Sequence, residues 1–446
     1  MDRRSFLKRS ALGSVGGLLL PTSMLYGCRK ELLFEKLDYD GKVVIIGAGA
    51  AGLYAAYLLR SKGVDVQVLE AAGRHGGRMG KLTGFADFPI DLGAEWMHGR
   101  NSIIGELAQN TNTVTSRDDS PNTYWFDGSL RGTLPRNIEI FEGGDRPDIS
   151  FLDHAQQQGF GEEYRFIVES LAGDQGASAS KLSVKYNNIE EENWSSGEED
   201  YRFAETYFDL LDRHIASKVL DRVRLNTVVS SIDHSGAQIT IRDLDGNSYP
   251  ADKVIITVPI TVLKENDIVF TPPLPSSKSE AFARIGMEAG MKVFLRFSTR
   301  FYQQFVLGGS VCAAYADNSI GKAVPDTVLL AFVMGEQAEQ LTALGSDEAI
   351  TAALLAELDT MYNGQASASF LAAHVQNWTT EPFIRGAYSY STVGIGNARS
   401  IAAEAVNGKL FSAGEAMNLN GHHQTVHGAV ESAYREVIKL FESVAR

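Results

Sequence analysis

Three glycines early in the chain have the spacing of a phosphate-binding turn. Gly47, Gly49 and Gly52 lie in KVVIIGAGAAG, between an apolar run that predicts a buried strand and an apolar helical pattern. In such a turn the first glycine permits a tight reversal, the second admits a pyrophosphate and the third lets the helix pack closely on the strand. Free amides at the helix N-terminus favour the anion. The stretch predicts a dinucleotide site, with a glycine turn that binds no ligand as the alternative.

A carboxylate and two cations follow where a dinucleotide would need them. The next predicted strand, VDVQVLE, ends at Glu70, about 20 residues downstream, where an acid can bind ribose hydroxyls. The segment EAAGRHGGRMG then supplies Arg74, Gly77 and Arg78, and guanidinium groups bind phosphate oxygens bidentately. Ribose and pyrophosphate occur in both NAD and FAD, so these groups predict the class of ligand and leave that choice open.

The composition around these motifs is that of a globular protein with room for more than one domain. The 446 residues are 44% hydrophobic and 22% charged, and this length predicts two or three domains. A formal net charge of −14 argues against nucleic-acid binding, because phosphate binding needs a basic surface. Of the two cysteines, Cys312 is expected to be a small buried side chain without a disulfide partner.

The first 28 residues have the layout of an export signal. DRRSFLKRSALG contains the pair Arg3 and Arg4, and the apolar stretch 11–20 is too short to span a bilayer. This layout predicts a twin-arginine signal peptide over residues 1–28. LYGC resembles a lipoprotein cleavage box that would lipidate Cys28; cleavage without a lipid and an uncleaved anchor remain open. We therefore expect export to the periplasm or cell envelope, with membrane contact only through a lipid anchor.

The pattern E-A-x-x-R-x-G-G-R after the glycine turn resembles the flavin amine oxidase family and its relatives. That group includes monoamine and polyamine oxidases, lysine-specific histone demethylases and L-amino acid oxidases. Protoporphyrinogen oxidases and carotenoid desaturases share this signature, so by itself it implies FAD and no particular substrate. Six such motifs occur in family order after Gly41. The resemblance as a whole implies an FAD-dependent amine oxidase.

The resemblance implies an α/β fold of the amine oxidase type, in which a Rossmann-like FAD-binding domain carries an inserted α+β substrate-binding domain. The segments RVRLNTVVSSIDHSG and DKVIITVPITVLK are similar to the family's passages between the two domains. The FAD-binding domain is expected over residues 41–95, 218–262 and 385–446. The substrate-binding domain is expected over residues 96–217 and 263–384.

The later motifs imply further contacts to FAD. By resemblance, Val229 meets the adenine through its backbone and Trp378 packs near the flavin. Gly414 and Glu415, in LFSAGEAMN, correspond to the contacts with the ribityl chain and the pyrophosphate. Val426 would begin a helix whose N-terminus faces the flavin, where the dipole stabilises negative charge on the reduced ring.

Several residues are expected to face the reacting amine. By resemblance, Lys292 in GMKVFLRF reaches flavin N5 through a water and acts there as a cation; a surface lysine is the alternative. Tyr388 forms one wall of an aromatic sandwich, and Thr425 stands where monoamine oxidases have the second. His98 faces the substrate amine, as in polyamine oxidases, or is a packed histidine. Ala387 replaces the cysteine that monoamine oxidases bond to FAD, so non-covalent FAD is expected.

The implied reaction moves a hydride from the carbon beside an amine nitrogen to flavin N5, and water hydrolyses the resulting imine. Dioxygen or another acceptor in the envelope would take the electrons. A polyamine or secondary amine is favoured, because DLGAEWMHG is of the polyamine-oxidase kind. Glu95 and Trp96 stand where L-amino acid oxidases carry a carboxylate-binding arginine, although Arg100 keeps that option open. A flavin oxidase or desaturase for a non-amine substrate also stays open, as does a flavoprotein for binding or electron transfer only.

Two further stretches carry charges or imidazoles. The acidic run IEEENWSSGEED predicts a solvated loop, with a rim that attracts cations as the alternative. His422, His423 and His427 lack the spacing of a zinc motif and have no cysteine nearby, so no metal site is predicted.

Overall fold

The computed structural model describes residues 39–136, 138, 146–323 and 326–444. The stretch assigned to the export signal, including Cys28, lies outside the described residues, so the signal and the lipid anchor stay predictions. Within the described part, every helix falls short of the length or the apolarity that a membrane crossing requires.

The helices of the described ranges are α1 (Ala50–Ser61), α2 (Ile103–Asn110), α3 (Phe151–Gln157), α4 (Arg165–Asp174), α5 (Val184–Asn193), α6 (Tyr207–His214), α7 (Ile260–Lys264), α8 (Ser276–Arg284), α9 (Gly335–Thr342), α10 (Asp347–Tyr362), α11 (Gln365–Ser369), α12 (Ala398–Ala402) and α13 (Val426–Val444). The strands are β1 (Lys42–Ile46), β2 (Asp65–Leu69), β3 (Lys81–Leu82), β4 (Ile90–Asp91), β5 (Trp96–His98), β6 (Thr115–Arg117), β7 (Asn122–Phe126), β8 (Ser129–Arg131), β9 (Asp200–Phe203), β10 (Val223–Arg224), β11 (Val229–Asp233), β12 (Ile239–Asp243), β13 (Ser248–Ala251), β14 (Lys253–Ile256), β15 (Val269–Thr271), β16 (Ile285–Met287), β17 (Gly290–Phe297), β18 (Phe305–Leu307), β19 (Ala314–Asp317), β20 (Val328–Met334), β21 (Phe370–Asn377), β22 (Ser389–Ser391) and β23 (Leu410–Ser412).

A five-stranded parallel sheet has the order β10-β2-β1-β14-β23. Its central strand, KVVII, is almost continuously apolar, as expected of a parallel strand covered on both faces. On one face, α1 and α13 pack together in an apolar cluster that includes Leu53, Leu59 and Val430. The strands of this sheet come from three separated parts of the chain, and the domain boundaries given above stay predictions.

A seven-stranded, mainly antiparallel sheet has the order β21-β17-β20-β19-β18-β7-β8. Within it, β17 lies between β20 and β21, so that Lys292 pairs with Phe332 and Gln376. Met291 packs in one apolar cluster and Phe294 in another, as the alternation of β17 predicts. Both faces of the strand are covered, and Lys292 is only 3% exposed. The alternative of a surface lysine is therefore wrong.

The acidic run IEEENWSSGEED is not the solvated loop that its composition predicts. Its first residues belong to α5 and its last begins β9. Burial alone would raise the pKa of Glu190, but His423, at 3.1 Å, and Arg399 hold it below its usual value. Asp200 is buried opposite His98 in the three-stranded sheet β5-β9-β6. The loop prediction is wrong at these positions because distant segments supply partners that local composition does not report.

Candidate functional site

A cavity of about 550 Å³ lies between the carboxyl ends of β1, β2 and β14 and the strands β17 and β20. This is where ligands bind in open parallel sheets. Among the predicted cofactor residues, those on its wall are Gly47, Gly49, Glu70, Arg74, Gly77, Arg78, Val229, Trp378, Gly414, Glu415 and Val426. The predicted amine-facing residues on its wall are His98, Lys292, Tyr388 and Thr425, and Ala387 lies beside them. The roles of these residues stay predictions, but the fold brings them to one space.

The glycine turn has the geometry of the predicted phosphate site. Gly47 has a φ of +104°, a conformation that favours glycine. A β-carbon on Gly52 would stand 2.0 Å from the Gly47 carbonyl oxygen. Gly52 therefore serves the packing of α1 on β1 and does not line the cavity. A β-carbon on Gly49 would meet no atom within 4 Å, so the backbone here borders open space that a pyrophosphate can fill.

Glu70 follows β2 directly, and backbone amides orient its carboxylate. Oε2 accepts a hydrogen bond from the Ala48 N–H at 2.6 Å, and Oε1 accepts one from the Ala72 N–H at 2.9 Å. Burial raises the pKa of Glu70, while these amides and the Arg74 charge act in the opposite direction. The carboxylate is thus fixed at the cavity edge, where ribose hydroxyls could donate to it.

Arg78 ties the glycine-rich segment to the C-terminal part of the cavity wall. Its Nη1 donates to the Ala387 carbonyl oxygen and to Glu415 Oε1, each at 2.9 Å. Burial alone would raise the pKa of Glu415, but the Arg78 charge and a Ser389 hydrogen bond lower it to about 2. Arg74, in contrast, donates to three backbone carbonyls of its own segment, those of His75, Gly77 and Met79.

Helix α13 begins at Val426, and its first turn lines the cavity. Thr425 Oγ1 accepts a hydrogen bond from the Gly428 N–H at 2.9 Å and so caps this helix. The Thr425 hydroxyl also donates to the His422 carbonyl oxygen at 2.8 Å. The capping role was missed in the sequence, although a threonine directly before an apolar helical pattern is a recognised start signal.

The Lys292 ammonium is held at the cavity wall by two protein oxygens. Nζ donates to Glu95 Oε2 at 2.7 Å and to the Asp91 carbonyl oxygen at 3.4 Å. Burial alone would raise the pKa of Glu95, but Lys292 and Arg202 hold it below its usual value. Burial raises the pKa of the nearby Asp91 carboxyl to about 7. The sequence offered no role for Glu95, although it lies inside DLGAEWMHG and a lysine in a buried strand needs a partner.

His98 and Tyr388 are both fixed by hydrogen bonds beside the cavity. His98 Nδ1 lies 2.7 Å from Asp200 Oδ1. The Tyr388 hydroxyl donates to the Asp174 carbonyl oxygen at 2.9 Å, at the end of α4. His98 is therefore a packed, hydrogen-bonded histidine and a cavity residue at once, so the two interpretations of it are compatible.

Other cavity residues were missed because they carry no motif; they include Asp174, Gln175, Phe332, Met334 and Gln424. Gln424 Nε2 donates to the Gln175 carbonyl oxygen at 2.8 Å, joining two distant segments of the wall. Arg100, in contrast, is exposed and stacks 4.0 Å from the Tyr201 ring centroid. Arg100 does not line the cavity.

The three histidines near the C-terminus pair with carboxylates. His422 Nδ1 lies 2.8 Å from Glu431 Oε2, and His423 Nε2 lies 3.1 Å from Glu190 Oε2. In the ranges that the structure describes, no three His, Cys, Asp or Glu side chains are arranged to hold a metal ion.

Comparison with known proteins identifies the family to which this chain is similar. The sequence model of the flavin-containing amine oxidoreductases matches residues 50–143 and 137–438. Lysine-specific histone demethylase 1B of Mus musculus is 27% identical, over 95% of this chain and 55% of its own length. Polyamine oxidase 4 of Oryza sativa subsp. japonica is 29% identical, over 94% of this chain and 90% of its own length. The chain spans about half the length of two of the histone demethylases it matches, 55% of one and 56% of the other.

The solved structure of cyclohexylamine oxidase from Brevibacterium oxydans IH-35A has a similar fold. The TM-score is 0.76 at 23% identity, and the match covers 92% of this chain and 100% of that one. This likeness confirms the predicted α/β architecture of the amine oxidase type. The family match confirms the resemblance drawn from the motifs and, with it, the prediction of FAD. The chain belongs to the flavin-containing amine oxidoreductase family.

Proposed function

We propose that this chain is an FAD-dependent amine oxidase whose preferred substrate is a secondary amine or a polyamine. The observation that carries the proposal is the buried Lys292 ammonium, which lines the same cavity as the glycine turn and Tyr388. A fixed cation in such a site stabilises negative charge that develops beside it. Membership of the family supports chemistry at a C–N bond.

When bound, FAD supplies the hydride acceptor and the electron carrier. The chain's part is to hold that group, with the glycine turn and Glu70 at one end and the N-terminus of α13 at the other. Ala387 offers no thiol for a covalent bond. We therefore expect acid precipitation to release yellow flavin into the supernatant, and flavin retained in the pellet would contradict this.

The substrate preference rests on three side chains. Tyr388 is held by its hydroxyl, and its electron-rich ring attracts a cationic amine. His98 is held through Nδ1, which leaves Nε2 as the ring nitrogen for a distal amine. Thr425 is too small to form a second aromatic wall, so room remains beside Tyr388. Together they favour an extended amine over a small aromatic monoamine.

The reacting amine has to lose its proton before the neighbouring C–H can leave as hydride. We assign no side chain of the cavity as the base for this step. Activity should then rise with pH through the pKa of the substrate itself.

We further propose that the chain reaches the cell envelope through a twin-arginine signal and passes electrons to dioxygen or to another acceptor there. The proposal rests on Arg3, Arg4 and the short apolar stretch that follows them. FAD is made inside the cell, so the chain should fold around it before export. Cell fractionation of the wild type and of an Arg3→Lys, Arg4→Lys variant tests this, and flavin-loaded protein in the envelope fraction only for the wild type is expected.

Anaerobic mixing of the oxidised enzyme with amines tests the activity. Spermidine and N-methylated amines should bleach the flavin fastest, and benzylamine and L-amino acids should do so slowly. A much higher kcat/KM for benzylamine or an L-amino acid would overturn the substrate preference. If no amine bleaches the flavin, the result would instead favour a flavin enzyme for a non-amine substrate, or a flavoprotein for binding or electron transfer.

A further inference from the structure

The Glu95 carboxylate lies between Lys292 and a buried group of charges behind it. Oε2 accepts a hydrogen bond from Lys292 Nζ at 2.7 Å, and Oε1 accepts one each from Arg202 Nη1 and Asn318 Nδ2 at 2.8 Å. Glu95 is 3% exposed. Both oxygens are therefore occupied, and the carboxylate cannot turn away from the lysine without leaving buried donors unpaired.

Arg202 is itself fixed, so the far side of Glu95 is rigid. Arg202 Nε donates to Asp118 Oδ2 at 2.6 Å, and Nη1 also donates to the Asp317 carbonyl oxygen at 3.1 Å. The guanidinium lies 4.6 Å from the Trp96 ring centroid. Glu95 is thus held in place by Arg202 in β9 and by Asn318, which follows β19. Glu95 in turn holds the Lys292 ammonium through a hydrogen bond.

The charged groups that face Lys292 come from several elements: the carboxylates of Glu95 and Asp91 and the cations Lys322 and Arg202. Burial raises the pKa of Asp91 to about 7, so that carboxyl is partly protonated near neutral pH. The pKa of Glu95 is lowered, so its carboxylate stays ionised. Since two of the other neighbours are cations, Glu95 is the constant counter-charge of the lysine.

We propose that Glu95 is a positioning residue that holds the Lys292 ammonium at the cavity wall, and that oxidation of the reduced flavin by dioxygen depends on this pair. In that step dioxygen takes two electrons and two protons and leaves as hydrogen peroxide. The inference rests on the function proposed above for Lys292. The inference gives a role to Glu95, to which the motif DLGAEWMHG by itself assigns none.

A double-mutant cycle in the full-length, FAD-loaded enzyme tests the inference. Glu95→Gln keeps the size of the side chain and removes its charge. We expect it to slow the oxidation of chemically reduced flavin about tenfold at neutral pH, because the ammonium has lost its counter-charge. In a Lys292→Met background, Glu95→Gln should change the rate less than about twofold, since the group it acts through is gone.

Two variants separate positioning from mere support of the fold. Glu357→Gln changes a buried carboxylate that accepts hydrogen bonds from the Val311 and Cys312 amides and does not line the cavity, so it should lower the melting temperature and keep the wild-type rate. Glu95→Asp keeps the charge but shortens the side chain, so it should slow the oxidation less than Glu95→Gln does. If the glutamine variant fails to fold, Glu95→Asp replaces it, and an unchanged rate in Glu95→Asp would then overturn the inference.

The outcomes distinguish this inference from the proposal on which it rests. A wild-type rate in Glu95→Gln would overturn it, and so would an equal slowing by Glu95→Gln in the Lys292→Met background. If Lys292→Met itself oxidises at the wild-type rate, the function proposed for the lysine fails first, and the inference fails with it.

Discussion

The two ends of the cavity are held by different kinds of contact. At the end that holds the glycine turn, backbone amides orient Glu70, and the turn belongs to the single unit β1-α1-β2. At the end that holds Lys292, this lysine, Glu95 and Arg202 are buried ionic side chains from distant segments. The first end depends on local backbone geometry, while the second depends on compensated charge. Single substitutions around Lys292 should therefore affect stability and reactivity together.

Two buried carboxyls show how strongly the pKa depends on whether the partner is a cation or a backbone amide. Arg78 and Ser389 lower the pKa of Glu415 to about 2 against the effect of burial. Asp91 is also buried and accepts hydrogen bonds from the amides at the start of α6, yet burial prevails and its pKa is raised to about 7. A cation in direct contact with the carboxylate makes the difference.

Arg202→Met should have the largest effect, because it leaves Glu95 and Asp118 as buried carboxylates without this partner. The free energy of unfolding should fall by about 3–5 kcal/mol, as measured by urea denaturation. Arg213→Met is the matched control: it breaks an ion pair with Glu205 in which both side chains are 59% exposed, and it should cost about 1 kcal/mol or less. Equal losses for the two variants would contradict the role given to burial.

Asp91→Asn should change how stability depends on pH. An unfolded aspartate has a pKa of about 3.9, so the folded chain, with a pKa of about 7, binds this proton more tightly. The wild type therefore loses stability as the pH rises from about 4 to about 7, and the asparagine variant does not. Relative to the wild type, the variant should gain roughly 1–4 kcal/mol between about pH 5 and about pH 8. Denaturant titrations at the two pH values measure this, and a constant difference would refute it.

Glu70→Ala perturbs the end of the cavity that holds the glycine turn. FAD binding should weaken by about 1.5–3 kcal/mol, because the ribose hydroxyls lose a charged acceptor. Equilibrium dialysis followed by absorbance at the flavin band gives the dissociation constant. Glu348→Ala, at an exposed glutamate of α10, is the control. Unchanged FAD occupancy in Glu70→Ala would count against the assigned role.

Lys292→Met should give the smallest energy change of the four and leave FAD bound. Either oxidation of the flavin by dioxygen or its reduction by an amine should slow at least about tenfold, which is about 1.4 kcal/mol of barrier. Stopped-flow absorbance measures the two half-reactions separately, with Lys218→Met, at an exposed lysine, as the control. Wild-type rates in both would make the lysine structural.

The contrast between the ends also explains what the sequence could predict. The glycine turn, Glu70 and the start of α13 follow from short patterns, because one strand, one turn or one helix cap fixes their geometry. The partners of Glu95 lie 107 and 223 residues away, and no local pattern reports which distant side chains meet. For the same reason Asp174 was missed on the cavity wall and the burial of Asp200 was not expected.

The parallel sheet joins strands that are remote in the chain, and this sets the order in which it can form. β23 completes the sheet and α13 covers α1, yet both come more than 300 residues after β1. Pairings between remote segments need long loops to close, so they form late in folding. A chain leaving the ribosome therefore exposes the glycine turn long before the opposite end of the cavity exists. Capture of the cofactor becomes a late event of synthesis, and residues 41–95 alone should not bind it.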